Sequence, residues 1–180
     1  MPLFGFGKTK VSEIEAIARF ANERLKWRWD RQVHLDALLV EALGGSEAPS
    51  DPWVRLKGAV ANMVLATYAL DSRVGAERAV RMRRVYLPQI LGGERDNAQD
   101  IRDMCKSYAD VWDECVKSGD QLAVKTYAEH FVKRTLARRI GPRTLAELRV
   151  LNICAMEYLL APKEDWWGPF TDKHRIVQDP

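Results

Sequence analysis

Chemistry on a helical protein usually needs histidine, cysteine or carboxylate at fixed spacing, and this sequence offers few such sets. Its histidines are His34, His130 and His174. A di-iron helical bundle wants Glu-x-x-His on each of two helices plus further inward glutamates. No Glu or Asp precedes any of these histidines by three residues. Glu129 is adjacent to His130, so on a helix the two side chains diverge. With no His-x-x-x-His and no Cys/His cluster, the sequence implies neither a dedicated metal site nor a cofactor. His130 reads as a histidine at the edge of a core, with a ligand or pocket role as the alternative.

The cysteines are Cys105, Cys115 and Cys154. The first two lie on one expected helix, about 15 Å apart at the helical rise, which is beyond disulfide reach. All three have apolar neighbours and read as small buried hydrophobes in a reducing, cytoplasmic compartment. Nucleophilic catalysis finds no Gly-x-Ser-x-Gly and no cysteine beside an activating group. GFGKTK at residues 5–10 resembles a phosphate loop in Gly7-Lys8-Thr9 alone, without the required spacing or a preceding strand. The expectation is a protein that is not an enzyme.

Nucleic-acid binding has one signal with a mechanism. In LARRIGPRTLAELRVL, Leu136 to Leu151, Ala137 and Gly141 stand four apart, as the contact and turn residues of a helix-turn-helix would. Arg138, Arg139 and Arg143 could then meet phosphates. Pro142 and the apolar character of the supposed recognition helix argue against it, since Gly-Pro is also plain turn chemistry. Charge is unevenly placed along the chain. Arg73–Arg84 and Lys133–Arg149 are basic, while Glu94–Asp120 is acidic. Either the acidic helix faces the basic ones inside the fold, or Arg81, Arg84, Arg134, Arg138, Arg139 and Arg143 join into a nucleic-acid patch. These arginines spread around their helices, which favours internal pairing.

Two further groups could carry recognition. Arg28, Gln32 and Asp36 fall at i, i+4, i+8 inside an otherwise apolar stripe. Buried polar groups must be paired or solvated, so the trio marks a break near Asp30, a cavity or an interface. Trp27 lies nearly opposite that stripe. Trp166, Trp167 and Phe170, among prolines and a glycine, form an aromatic arm that something must bury, either this chain or a partner.

The elements that would position these residues are helices. PWVRLKGAVANMVLATYAL, residues 52–70, carries no charge from Gly58 to Leu70 and is apolar on all sides, as an interior helix is. It is too short and too interrupted by Arg55 and Lys57 to span a bilayer. Ser12 and Glu15 form a capping box for a helix running to Leu43. Residues 44–51 are a loop. Pro88 should end or kink the basic helix after Gly75. Asn97–Ser118 is amphipathic, with Ile101, Met104, Cys105, Tyr108, Trp112 and Cys115 on one face. Helices over 121–140 and from Pro142 to about Ala161 complete the set.

The totals agree with this reading. The chain has 180 residues, 47% apolar and 29% charged, enough for one domain with a substantial core. Its net charge of +3 is too mild to demand a polyanionic partner. The expected architecture is an all-α, single-domain bundle of about six helices around residues 52–70. A loose segment (1–11) precedes the bundle (12–161), and an irregular aromatic arm (162–180) follows it. The expected function is a non-enzymatic helical interaction module acting on another protein or on itself. Trp27, Trp166, Trp167 and Phe170 are its partner-binding candidates, with Arg28, Gln32 and Asp36 as a polar pocket. Nucleic-acid binding is the alternative, and no membrane association is expected.

Overall fold

In the computed structural model, residues 8–42, 52–94, 96–117, 122–137, 141, 144–160 and 166–179 are described, without the side chains of 25–34, 38, 41–42, 116–117 and 160. The molecule is an all-α, single-domain bundle. A short strand, β1 (Thr9–Ser12), leads into α1 (Glu13–Ala42), whose first turn is capped by Ser12 Oγ accepting from the Glu15 N–H at 3.2 Å. The helix is continuous through Asp30, so the sequence alternative of a break there does not hold.

The central helix, α2 (Pro52–Ala66), buries Val60, Met63 and Val64. It is shorter than the 52–70 expected. The Thr67 hydroxyl donates back to the Val64 carbonyl at 2.7 Å, the chain turns, and α3 (Ala69–Val74) starts with Leu70 buried. Gly75, at φ 88°, joins α3 to α4 (Ala76–Arg81) in a conformation that side-chain-bearing residues rarely adopt. A π-helical segment, Met82–Tyr86, then precedes α5 (Leu87–Gly92). In it the Leu87 N–H bonds the Met82 carbonyl, five residues back. Pro88 has no N–H and its ring crowds the preceding turn, and the wider turn accommodates it without ending the helix.

The amphipathic α6 (Ala98–Lys117) packs against α5 and α2. Its stripe of Ile101, Cys105, Tyr108, Trp112 and Cys115 is buried, and Cys154 is buried too. After α7 (Ala123–Phe131), a second π segment, Val132–Leu136, turns Thr135 and Leu136 inward. Thr144 caps α8 (Leu145–Leu160), accepting from the Glu147 N–H at 3.1 Å. This helix packs on α1 and α7 and meets α2 where Tyr158 faces Gly58.

The two chain ends depart from expectation. Within the arm read as irregular, Trp167–Lys173 is a helix, α9, and His174–Val177 is a strand, β2. Residues 9–11, read as loose, and the capping Ser12 pair with it in parallel, Thr9 opposite His174 through Ser12 opposite Val177. Four-residue strands carry too little periodicity to be read, and their partners lie at opposite ends of the sequence. No described helix is long and apolar enough to cross a membrane.

Candidate functional site

Charge is handled inside this bundle with some care. Arg83, 1% exposed, projects from the first π segment into the core. Its Nε donates to Thr67 Oγ1 at 2.9 Å, and its two amino groups reach Asp113 at 2.8 Å and Asp71 at 2.5 Å. The guanidinium plane lies over the Tyr68 ring, 4.1 Å from its centroid. Each of its three nitrogens therefore meets an acceptor, two of them carboxylates, as a buried cation requires. Burial raises the Tyr68 phenol far above its ordinary range, a rise that Arg83 opposes. Arg84 shares Asp113 and also meets Asp110. Glu13, at the start of α1 and fully buried, takes a two-pronged contact from Arg81 at 2.7 and 2.8 Å and a third from Arg78 at 3.1 Å. That contact holds the Arg81 guanidinium firmly in its charged form.

One open feature beside this core is a groove of about 460 Å3 between α2, α6, the end of α7 and the second π segment. From α2 come Trp53 and, one turn later, Lys57. The ring of Trp53 stands 44% exposed at the rim. Asp100, Asp103 and Ser107 repeat at helical spacing along the α6 wall, with Met104 and Tyr108 giving the apolar part. His130, Arg134 and Thr135 close the third side. The Tyr108 and Thr135 hydroxyls bond each other at 3.2 Å, and burial pushes the Tyr108 phenol up to about 12. Burial, then Arg134 and Lys133, hold the His130 imidazole below its ordinary value. The ring packs edge-on to Tyr108.

Such a groove can bind, and it sorts charge by wall. Lys57 and Arg134 have no ion-pair partner among the described residues, nor does Asp100. Among the described residues no group of three His, Cys, Asp or Glu side chains could hold a metal ion.

The residues singled out from sequence are scattered. Trp167 is buried, its indole N–H donating to the Ala66 carbonyl at 3.1 Å and its ring stacked on Phe20 at 4.8 Å. Trp166 bonds Glu23 through its indole N–H and stacks on Phe170. The arm is thus covered by α1 and α3 of its own chain, although Trp166 and Phe170 still line a shallow groove of about 620 Å3. Asp36 pairs with Arg55 of α2 at 3.1 Å. The side chains of Trp27, Arg28 and Gln32, and all of Arg138, Arg139 and Arg143, lie outside what is described. Of the remaining arginines, Arg81 and Arg84 are engaged by carboxylates, whereas Arg134 faces the groove. Sequence reasoning passed over Trp53 and Lys57. Their i, i+4 spacing at the start of the central helix was a legible signal of a shared face.

No protein-family model, no curated protein and no solved structure matches this chain.

Proposed function

We propose that the protein is a non-enzymatic helical interaction module, and that its partner docks in the groove under Trp53. The observation that carries this reading is the half-exposed Trp53 ring beside an apolar-floored groove. Aromatic side chains at groove rims dominate the energy of many protein interfaces. The cations on two walls and carboxylates on the third would dictate the order of charges on the partner, which fixes register and excludes wrong partners. Nucleic-acid binding through the arginine-rich helices is the weaker reading, because carboxylates of the chain engage Arg81 and Arg84.

Co-purification from the native source tests it. Trp53→Ala should weaken retention of the partner at least tenfold, the loss expected for a hot spot costing about 2 kcal/mol. Leu145→Ala, on the exposed start of α8, should leave retention unchanged. Light scattering distinguishes self-association from a second protein. A wild-type chain that stays monomeric and retains no protein, or a Trp53→Ala variant that binds as tightly, would refute the proposal.

A further inference from the structure

The face that α8 turns away from the bundle has an order of its own. On the inner side Leu151, Cys154, Ala155, Tyr158 and Leu159 are buried, and α1, α2, α7 and the second π segment pack on the helix. Outward stand Leu145, Arg149, Ile153 and Glu157, four residues apart and all exposed. An i, i+4 series of this kind makes one ridge along a helix, the unit with which packed helices interdigitate. Leu145 is 76% exposed and Ile153 64%, the highest values among the described large apolar residues. Ala146 lies exposed beside them, and Met156 is half-buried at the flank. Apolar surface of this kind gains from being removed from water by a second surface.

The order of the charges says which surface fits. Ile153 sits midway between Arg149 and Glu157, about one turn from each, and those two are of opposite sign. Turning a copy of the ridge end for end about Ile153 therefore sets a base against an acid on both sides of it. A parallel copy in register would set like against like. Arg149 has no ion-pair partner among the described residues. Glu157 already interacts within its own chain. Being exposed, it can take a further cation, as Asp113 takes both Arg83 and Arg84.

We propose that α8 docks on α8 of a second copy of this chain. The two helices run antiparallel, Ile153 meets Ile153 at the two-fold axis, and Arg149 of each copy faces Glu157 of the other. Such an isologous contact closes on itself as a dimer. One helix face is a small interface, below the roughly 1,200 Å2 at which stable ones begin, so the dimer is a weak one. It uses no residue of the groove under Trp53, so either proposal can fail without the other.

Sedimentation equilibrium between about 1 and 300 µM, the range suited to a weak complex, is the test. Wild type should show a concentration-dependent dimer, and Trp53→Ala the same one. Ile153→Glu should weaken it at least tenfold, as loss of a central apolar anchor does. The register is read from charge. Arg149→Glu alone sets acid against acid, and Glu157→Arg alone sets base against base, so each should dimerise several-fold more weakly than wild type. An equimolar mixture of those two variants restores opposite charges on both sides and should dimerise more tightly than either alone. Because each gains in the mixture what it lacks by itself, that result cannot come from misfolding. A wild type monomeric throughout, a dimer abolished by Trp53→Ala, an Ile153→Glu variant that dimerises as tightly, or a mixture no tighter than its components overturns the proposal.

Discussion

A buried guanidinium is tolerated when each of its edges meets an acceptor, and Arg83 shows how narrowly that condition is met. Its partners come from the turn after α2, from α3 and from α6, and Asp113 is itself only 11% exposed. Arg83→Met would leave Asp113 with Arg84 as its one remaining cation among the described residues, at the exposed edge of the cluster, and with the Tyr68 hydroxyl at 3.4 Å. Breaking a buried pair from one side costs about 3–5 kcal/mol, and urea denaturation should show a loss in that range. Arg83→Lys should fall between, since an ammonium cannot span three separated acceptors in a plane. His130 gives the residue-scale pH prediction. Its folded pKa lies below the ordinary 6.5, chiefly through burial. The unfolded chain therefore takes up the proton first as pH falls. Stability is full above 6.5 and declines as pH drops from there toward the folded value, then levels. His130→Gln should flatten that part of a stability–pH curve measured by denaturant titration.

At the scale of elements, the crossing of α2 and α8 depends on Gly58. A methyl group there would stand 3.2 Å from the Tyr158 hydroxyl oxygen, and Tyr158 is too buried to swing away. Gly58→Ala gains about 1 kcal/mol of helix propensity but overpacks the crossing by roughly 1–3 kcal/mol. The net expectation is a loss of about 1 kcal/mol, read as a lowered melting temperature. Which elements could be foreseen follows from where their causes lie. The Ser12 cap on the Glu15 N–H and the stripe of α6 are local patterns, so both were legible. The turn at Thr67 and the π segments were not. The turn arises with a hydroxyl folding back on its own helix, and the first π segment with Pro88 being accommodated without termination.

For the molecule as a whole, opposite charge on neighbouring helices does much to set the arrangement, and the sequence already hinted at it. The acidic run 94–120 against the basic run 73–84 is realised as Asp110 and Asp113 holding Arg84 and Arg83. Which arginine would be buried was hidden, because that depends on three segments meeting. The candidate site was half legible. Trp166, Trp167 and Phe170 stood out in the sequence as aromatics that something must bury, and this chain buries Trp167 and Phe170, whereas the groove under Trp53 exists through the approach of α2, α6 and α7. The parallel ribbon of β1 and β2 has a mechanical side. A load applied ahead of Thr9 and beyond Val177 pulls the two strands lengthwise past each other, so all the rungs between them resist together instead of peeling one by one. The ribbon would then act as a shear clasp, and tension on the flanking chain would meet the hydrogen-bonded rungs before it reached the helices.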